Sequence, residues 1–441
     1  MRIPQAPMPW MELMSKLSEN GRLGEVLRIG ATAKRRRDYL HWNDLRHRSP
    51  PEGLNVEEWW LSTKLLRNGS MRATPLMDKK GYPFKFNVPD CVVEQLHQID
   101  KGGGTLITPE PVTNPQTRDR YLMRSLIAEA ITSSQLEGAV TTREVAKEML
   151  STGRKPRDRS ERMILNNFLT MQRIRQLRDF SLTPDLILEI HRMVGAEALD
   201  KPDAAGRLRR DDELIDVSDH EGNILHVPPI ARELPNRLEA MCKFANAETP
   251  DFFIHPVVRS VILHFWLAYD HPFVDGNGRT ARALFYWSML RNGFWLFEFI
   301  SISQIILKAP VKYGTAFLHT ETDDNDLTYF LMHQTDVIRK AVQELHEYIE
   351  RKTEEVEEAR TLIDGIEWAN HRQQELLAHA MKHPRQRYTV AEHKGRHGIV
   401  YQTARTDLLA LADCGFLEKR LVGKEFVFRA PPDLVQRIKK N

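Results

Sequence analysis

The chain has 441 residues, of which 41% are hydrophobic, and its formal net charge at pH 7 is +3. This length accommodates two or three domains, and so small a net charge gives no global basic field that would favour nucleic-acid binding by the whole surface. The three cysteines are too widely spaced for a zinc cluster or a disulfide framework. The sequence shows no apolar signal core and no run of 18 apolar residues. It therefore predicts a cytoplasmic protein without membrane contact.

The first 105 residues are predicted to form a separate helical module. Helical segments are expected around 10–45 and 56–69, with Ser49-Pro-Pro51 between them. Nothing in this module indicates a chemical role.

A helix ending near Glu137 is predicted further along the chain. Its apolar positions recur at helical spacing, namely Leu122, Leu126, Ile127 and Ile131. Gly138 follows as a natural cap after the last turn. Glu137 therefore lies at the negative end of the helix dipole, where a carboxylate loses a few tenths to about 1 kcal/mol. A cation from elsewhere in the chain would offset this cost, and a solvated helix end is the alternative.

The helical pattern breaks between residues 206 and 229. Two short extended runs, Leu214–Val217 and Ile224–Val227, lie on either side of Gly222-Asn223. This pattern predicts a β-hairpin with a tight turn. From these residues alone, an ordinary surface hairpin accounts for the pattern equally well.

Residues 271–282 read His-Pro-Phe-Val-Asp-Gly-Asn-Gly-Arg-Thr-Ala-Arg and lie between two segments that are apolar nearly all round. Such segments indicate buried helices, so the polar residues form a short loop between them. Asp275–Gly278 can present backbone N–H groups in a concave nest at the start of the second helix. Arg279 and Arg282 lie three residues apart on one face of that helix. The loop is therefore predicted to bind an anion with several oxygens, most simply a polyphosphate.

The two remaining polar residues of the loop indicate chemistry. Asp275 would repel an anion directly, so its expected task is to hold Mg²⁺ between its carboxylate and phosphates. His271 titrates near neutral pH and can take a proton from an incoming nucleophile. A base, a metal, an anion nest and two arginines together indicate transfer of a phosphorus-containing group.

These twelve residues match the Fic motif, His-Pro-Phe-x-(Asp/Glu)-Gly-Asn-Gly-Arg-x-x-Arg, at every specified position, and the chain thus resembles the Fic family. Most enzymes of that family transfer AMP from ATP to a hydroxyl side chain of a protein and release pyrophosphate. A kinase-like branch replaces the glycines of the loop and binds ATP reversed. Because the glycines are intact here, the resemblance favours nucleotidyl transfer over phosphoryl transfer.

The resemblance implies a role for each polar residue of the loop. His271 would deprotonate the target hydroxyl, and Asp275 would coordinate Mg²⁺. The implied phosphate ligands are Gly276, Asn277 and Gly278 for the α- and β-phosphates, Arg279 beside them, and Arg282 for the γ-phosphate.

A second motif of the same family lies upstream. Ser133-Ser-Gln-Leu-Glu137-Gly138 resembles the inhibitory motif (Ser/Thr)-x-x-x-Glu-(Gly/Asn). The resemblance implies that Glu137 pairs with Arg282, occupies the place of the γ-phosphate and keeps ATP from binding productively. The position of Ser133–Gly138 ahead of the loop is typical of the intramolecular class of inhibited Fic proteins.

The expected fold is mainly α, with a Fic helical core, a β-hairpin flap, an N-terminal helical module and a C-terminal winged helix domain. In Fic proteins the flap lies over the active site and pairs with an extended segment of the target. The predicted divisions are 1–105 for the N-terminal module, 106–335 for the Fic domain with its inhibitory helix, 336–375 for a connecting helix and 376–441 for the winged helix-turn-helix domain.

The C-terminal domain resembles a winged helix-turn-helix, with 400–412 as the recognition helix and 422–424 as the turn of the wing. A buried stripe is expected at Ala404, Leu408 and Leu411. Such a helix can enter the major groove of DNA. The candidate DNA-binding residues are Gln402, Thr403, Arg405, Thr406 and Lys424. Winged helices also serve as dimerisation or protein-binding modules, and the sequence favours neither reading.

Two classes of function stay open at this point. The first is a protein adenylyltransferase inhibited by Glu137, which would use ATP with Mg²⁺ and modify a Tyr, Thr or Ser hydroxyl of a protein. The second is a DNA-binding transcriptional regulator whose Fic core senses nucleotide. The complete loop favours the first, because a sensor would not need His271. Narrower alternatives are a donor of UMP, GMP or phosphocholine, and removal of AMP from a modified protein. A homodimer is a further expected assembly.

Overall fold

The structure, a computed structural model, forms two compact units, Met1–Leu345 and His346–Asn441. It describes residues 2–32, 39–103, 115–219, 221–364, 366, 368–383, 386–422 and 425–439. Helices account for most of these residues and the strands form small sheets, which confirms the expected mainly α fold. Within these ranges no helix is both long and apolar enough to cross a lipid bilayer. The finer division at residues 105, 335 and 375 stays a prediction.

The first hundred residues begin with helices that lie within the two segments expected to be helical. They are α1 (Trp10–Glu19), α2 (Leu23–Thr32), α3 (Trp42–Leu45) and α4 (Val56–Asn68). A capping box starts α4, because Asn55 and Glu58 each accept the other's backbone N–H at 2.9 Å. An antiparallel hairpin that the sequence did not predict comes next. It consists of β1 (Arg72–Met77) and β2 (Pro83–Phe86), and α5 (Asp90–Gly103) follows it.

The rest of the first unit is built of helices and one further hairpin. The helices are α6 (Pro115–Leu136), α7 (Arg143–Thr152), α8 (Arg159–Leu177), α9 (Pro184–Gly195), α10 (Leu234–Ala245), α11 (Pro256–Asp270), α12 (Asn277–Arg291), α13 (Ile302–Lys308), α14 (Pro310–Thr322) and α15 (Thr328–Asp364). The antiparallel hairpin consists of β3 (Val217–Ser218) and β4 (Ile224–His226). Short 3₁₀ turns occur at Pro202–Ala204, Ala231–Glu233 and Trp295–Phe299.

The helices α11 and α12 pack against each other in the core of this unit. Pro256 occupies the first turn of α11, where its missing N–H costs nothing. Nearly all side chains of both helices are buried, including the hydroxyls of Ser260 and Ser288, which are 2.8 Å apart. Two buried helices therefore flank the polar loop, as the apolar sequence around it predicts.

A buried polar network connects α4 to the segment between α14 and α15. The Lys64 ammonium is 2% exposed and donates to the carboxylate of Asp323 at 2.5 Å. The other carboxylate oxygen of Asp323 accepts from the Tyr329 hydroxyl at 2.7 Å. Arg67 donates to the same hydroxyl at 3.1 Å. Residues before and after position 105 therefore pack into one compact unit.

The second unit contains the last part of α15, four further helices and a three-stranded sheet. Its elements are α16 (His371–Lys382), β5 (Arg387–Thr389), α17 (Val390–His397), α18 (Tyr401–Asp413), β6 (Glu418–Val422), β7 (Glu425–Arg429) and α19 (Leu434–Lys439). The sheet is antiparallel in the order β5-β7-β6. The helix expected at 400–412 is α18, and its apolar stripe is fully buried at Ala404, Leu408 and Leu411. Lys424 lies outside the described residues.

Asp407 connects three helices of this unit. It lies on α18, is 4% exposed and accepts hydrogen bonds from Asn370, the N-cap of α16, at 2.8 Å and from Arg372 at 2.9 Å. His393 of α17 lies 3.2 Å from the same carboxylate. The polar atoms of this buried side chain therefore fix the packing of α16, α17 and α18.

Replacing Lys64 with methionine should lower the free energy of unfolding by roughly 3 kcal/mol, because Asp323 would then be a buried carboxylate without its cation. Denaturant unfolding of the variant and the unsubstituted protein measures the difference. Lys16→Met, at an exposed position of α1, is the matched control and should change the free energy by less than about 0.5 kcal/mol. Equal effects of the two substitutions would contradict a stabilising role for the buried pair.

Candidate functional site

The loop of residues 271–276 joins α11 to α12 through two left-handed residues. His271 ends α11 with φ of 44°, and Gly276 precedes α12 with φ of 83°. A Cβ at Gly276 would lie 3.2 Å from the Val194 side chain and 3.4 Å from the His191 ring. Both the positive φ and this close packing require glycine at position 276.

Asn277 holds the loop in shape. Its side-chain oxygen accepts from the Phe273 N–H at 2.9 Å, and its side-chain nitrogen donates to the Phe273 carbonyl at 2.8 Å. The side chain is buried, so these bonds are shielded from water. Asn277 thus contributes its amide to the loop itself, and its backbone N–H belongs to the first turn of α12.

His271 is held by its backbone and presents one ring nitrogen for chemistry. Its carbonyl accepts from Arg209 at 2.9 Å, and its Nδ1 lies 3.3 Å from the Ala268 carbonyl. A carbonyl can only accept, so Nδ1 carries the proton and Nε2 is left unprotonated in the neutral ring. Desolvation, followed by the nearby His226, lowers the pKa of His271 to about 4. The ring is therefore a neutral base at pH 7.

Asp275 presents a carboxylate that is 37% exposed. It accepts from the Gly276 N–H at 2.5 Å and from Arg279 at 3.4 Å. Arg159, the first residue of α8, donates to it at 3.2 Å and to Asp200 at 2.7 Å. Asp275 is thus ion-paired, yet one side of its carboxylate opens to the cavity described below.

The donor set around Asp275 fits Mg²⁺ only together with a phosphate ligand. The described residues contain no group of three or more His, Cys, Asp or Glu side chains that could hold a metal ion. Mg²⁺ commonly keeps several waters and binds one or two carboxylates plus substrate phosphates. A single accessible carboxylate at an anion nest is compatible with that mode of binding.

The buried side chain of Arg279 makes only long hydrogen bonds. Its side chain is fully buried, and its two hydrogen bonds, to the Val194 carbonyl and to Asp275, are both 3.4 Å long. Among the described residues, its Nε has no partner. Desolvation lowers the pKa of this guanidinium, although arginine stays charged at any pH of interest. Arg279 therefore has donor capacity beyond what the protein uses.

Arg282 is bound to the segment that the sequence marked as inhibitory. Its side chain donates to the Ser133 hydroxyl at 2.8 Å, to the Ser133 carbonyl at 2.9 Å and to Glu137 at 2.8 Å. Arg282 is 2% exposed and the Glu137 side chain is 25% exposed. The expected ion pair between Glu137 and Arg282 is therefore present.

Glu137 also lies directly over the start of α12. A Cβ built on Gly278 would be 2.1 Å from a Glu137 carboxylate oxygen. Gly138, with φ of 91°, ends the α6 helix and turns the chain away, as a capping glycine does. A carboxylate from α6 thus occupies the positive end of α12, where an anion would bind.

One cavity of about 570 Å³ brings these groups together. His271, Glu137 and the nest residues Asp275–Gly278 line it on one side. Leu199–Lys201 and Leu214–Asp216 line it elsewhere. The cavity therefore joins a neutral base, a carboxylate and a helix N-terminus in a single space.

The hairpin is shorter than the sequence predicted. The extended runs at Leu214–Val217 and Ile224–Val227 are strands only at β3 and β4, because a register shift interrupts their pairing. The side chain of Asp219 organises the turn by accepting the backbone N–H groups of Glu221 and Asn223, both at 3.0 Å. His226 anchors β4 through contacts of 2.7 Å with Glu321 and 2.8 Å with the Tyr269 carbonyl.

Three residues that hold the loop could not be identified from the sequence. Arg209 donates to the His271 carbonyl, Arg159 pairs with Asp275, and His191 contacts the Asp275 carbonyl at 2.9 Å. Each lies far from the loop along the chain, and no local pattern of residues distinguishes them. Long-range hydrogen bonds of this kind are visible only in the folded chain.

Four of the five candidate DNA-binding residues lie on α18. Gln402, Arg405 and Thr406 are exposed, and Thr403 is half-buried. The Thr406 hydroxyl donates to the Gln402 carbonyl at 2.9 Å. A polar face is thus present on this helix, and the exposed apolar side chains of Val400 and Tyr401 lie at its start.

The His271 ring should stay neutral, with the proton on Nδ1, from pH 8 down to pH 5, because its lowered pKa of about 4 is reached only below that range. Nitrogen-15 NMR of histidine-labelled protein reads both the tautomer and the titration. Glu137→Gly should lower the pKa further, since the Glu137 carboxylate raises it. A ring that titrates near pH 6.5, the usual value, would contradict the geometry around His271.

Part of the chain is similar to known proteins. Residues 181–289 match the Fic/DOC family. The protein adenylyltransferase Fic of Nematostella vectensis is 30% identical over 205 residues, which are 46% of this chain and 45% of that protein. The protein adenylyltransferase fic-1 of Caenorhabditis elegans is 30% identical over 180 residues, which are 40% of this chain and 33% of that protein. The chain thus spans less than half the length of these relatives.

A solved structure shows the same fold. The crystal structure of a Fic family protein from Desulfovibrio desulfuricans G20 matches with a TM-score of 0.55 and 19% identity, over 78% of this chain and 97% of that chain. The matched family segment contains α9, α11, the loop of residues 271–276 and nearly all of α12. The loop and nearly all of the two helices that flank it therefore lie in the part of the chain that matches the Fic/DOC family, whereas Ser133, Glu137 and Arg159 lie outside that segment.

Proposed function

We propose that the protein is a protein adenylyltransferase that transfers AMP from ATP to a Tyr, Thr or Ser hydroxyl of another protein and releases pyrophosphate. One observation carries the proposal: a single cavity holds the neutral base His271 and the glycine nest at the start of α12. The match to the Fic/DOC family and the names of the two relatives support it. The wide spacing of Cys91, Cys242 and Cys414 along the chain supports a reducing compartment, such as the cytoplasm.

In the proposed reaction, His271 acts as the general base. Its unprotonated Nε2 takes the proton of the target hydroxyl while the hydroxyl oxygen attacks the α-phosphorus of ATP. A bond forms between that oxygen and the α-phosphorus, and the bond to the bridging oxygen of pyrophosphate breaks. Pyrophosphate leaves with the bonding electrons, and the proton stays on His271.

The phosphates would bind where the backbone is most positive. The N–H groups of Gly276–Gly278 lie at the positive, N-terminal end of α12. Gly278 has no side chain that would obstruct a phosphate oxygen there. Arg279 has an unused donor, and Arg282 is the proposed ligand of the γ-phosphate. Asp275 would hold Mg²⁺, which neutralises phosphate charge when bound.

The proposed inhibition follows from competition between two anions. Glu137 accepts from Arg282, so its carboxylate and the γ-phosphate would need the same guanidinium. It also lies against Gly278, in the path of the phosphates. Nucleotide in its productive pose therefore requires Glu137 to move. Ser133 strengthens the inhibited state, because it contributes two further acceptors to Arg282.

Glu137→Gly should raise transfer activity roughly 10- to 100-fold, because a charge-assisted hydrogen bond of about 1.5–3 kcal/mol no longer holds Arg282. The unsubstituted protein and the variant are incubated with Mg²⁺ and ATP labelled at the α- or the γ-phosphate, and protein-bound label is measured. Glu137→Gln, which keeps the size and loses the charge, should show an intermediate rate. Adding His271→Ala to Glu137→Gly should lower the rate by about 10²–10⁴-fold.

The two labels separate the competing chemistries. Label from the α-phosphate alone, lost in the His271→Ala double variant, is the expected result. Label from the γ-phosphate would show a kinase instead. Equal activity with and without Glu137 would contradict the inhibition. No label from ATP in any variant would overturn the proposal, and UTP, GTP, CDP-choline and an AMP-modified protein would then test the other donors and the reverse reaction.

We further propose that the second unit is a winged helix-turn-helix that binds DNA through α18. The order of its helices and strands and the exposed polar face of α18 support this reading. Gln402 and Arg405 are of the side-chain types that read base edges in the major groove. The alternative partner is a protein, which includes a second copy of the chain, and the exposed Tyr401 favours it.

Arg405→Glu should weaken binding to duplex DNA roughly tenfold, because it removes one cationic contact and adds an anion. Fluorescence anisotropy with a labelled duplex at low salt, repeated at higher salt, measures the change. Lys16→Glu, in the first unit, makes the same charge change and should leave the affinity unaltered. If neither the unsubstituted protein nor the control binds DNA at low salt, the DNA-binding reading is wrong.

A further inference from the structure

His191 is a buried histidine that the proposed reaction does not use. It lies on α9, is fully buried and contacts two separate segments through its two ring nitrogens. Its Nδ1 accepts from the Gly206 N–H at 3.0 Å. Its Nε2 lies 2.9 Å from the carbonyl of Asp275.

These two contacts define which nitrogen carries the proton. A backbone N–H can only donate, so Nδ1 is unprotonated, and a carbonyl can only accept, so Nε2 carries hydrogen. One neutral tautomer satisfies both contacts. The tilt of the His191 ring is also fixed, because the ring stacks on Phe273 with ring centroids 3.6 Å apart and an interplanar angle of 5°. The two hydrogen bonds and the stacking on Phe273 therefore fix the direction of the Nε2–H bond.

The orientation of the next peptide group follows from that bond. Between Asp275 and Gly276 the peptide is trans, so its C=O and N–H point in opposite directions. Because the C=O points to His191, the Gly276 N–H points away from it, to the side where the Asp275 carboxylate accepts it at 2.5 Å. The first N–H of the glycine nest therefore owes its direction to a residue on another helix.

We propose that His191 is a positioning residue that, by holding the Asp275 carbonyl, keeps the Gly276 N–H on the side of the Asp275 carboxylate and the nest, where the phosphates of the nucleotide would bind. This role rests on the proposed function, since it gives the nest its polyphosphate ligand. Without the bond to Nε2, the peptide between Asp275 and Gly276 can rotate, and a left-handed glycine offers little resistance to that rotation. A rotated peptide would present its carbonyl to the phosphates and repel them.

His191 also connects the nest to the base. Gly206, which donates to Nδ1, opens the segment in which Arg209 binds the carbonyls of His271 and Pro229. The two nitrogens of His191 therefore touch the segment that holds the base and the peptide that binds phosphate. Their separate contributions can be tested, because two carboxamide side chains each reproduce one nitrogen.

The experiment compares His191→Gln with His191→Asn in the Glu137→Gly background. The terminal amide of glutamine reaches the position of Nε2 and can donate to the Asp275 carbonyl, whereas that of asparagine reaches only the position of Nδ1. The dissociation constant of ATP is measured by calorimetry with Mg²⁺, and KM and kcat are measured with α-labelled ATP. Thermal unfolding of each variant reports any general loss of structure.

We expect asparagine to weaken ATP binding and raise KM roughly tenfold, the usual effect of one buried hydrogen-bonding group left unpaired. The dissociation constant of ATP for the His191→Gln variant should lie within about threefold of that for the Glu137→Gly parent, since the retained hydrogen bond to the Asp275 carbonyl accounts for most of that effect. A merely structural role would lower the unfolding temperature of both variants and leave the ATP affinity of the folded protein alike. The role would be overturned if the His191→Asn variant bound ATP as tightly as the parent. It would also be overturned if the His191→Asn and His191→Gln variants lost equal ATP affinity.

A second measurement needs no substitution. Nitrogen-15 NMR of the unsubstituted protein should show the hydrogen of His191 on Nε2, and a hydrogen on Nδ1 would overturn the proposal even if both variants fail to fold. The failure of each idea is distinguishable. ATP binding without transfer in the Glu137→Gly parent would overturn only the adenylyltransferase proposal, and absence of ATP binding in that parent would overturn both.

Discussion

A short polar loop held between two buried helices is the constraint on which the rest of the site depends. Because α11 and α12 are buried on nearly all sides, their ends cannot move apart, and residues 271–276 must turn the chain within a fixed gap. Two left-handed residues make that turn, and buried hydrogen bonds from Asn277 and Arg209 hold it. Hydrogen bonds within the protein therefore set the shape of the loop and preorganise the proposed base and anion nest.

The charges of this site are neutralised by the protein itself. Glu137 pairs with Arg282, and Arg159 pairs with Asp275, so an anion and a cation from distant helices hold the two groups proposed to bind phosphate and Mg²⁺. The Glu137–Arg282 pair is largely buried, and removing one of its partners is costly because it leaves a charge uncompensated. The Arg159–Asp275 pair is exposed and contributes less. A nucleotide with its metal ion would bring charges of both signs, so it could replace both partners at once.

The sequence predicted those parts of the site that depend on neighbours along the chain. Apolar residues at helical spacing indicated α11, α12 and α18, and the Glu137–Arg282 pair was expected from two motifs. What the sequence could not show depends on distance in the chain: His191 lies 84 residues from Asp275, and Arg209 lies 62 from His271. The hairpin was predicted too long, because alternation of residue types does not reveal the register shift that limits β3 and β4.

Gly278 connects inhibition to catalysis. Its missing side chain leaves room for the Glu137 carboxylate, which would lie 2.1 Å from any Cβ at that position. The same room is what a phosphate oxygen needs at the start of α12. A larger residue at 278 would therefore exclude the Glu137 carboxylate and the proposed phosphate ligand together, so a substitution there would not separate the proposed inhibition from the proposed activity. Residue 137 is different, because under the proposed mechanism its carboxylate takes part only in the inhibited state. A change at residue 137 would then relieve the proposed inhibition without removing a group that binds phosphate.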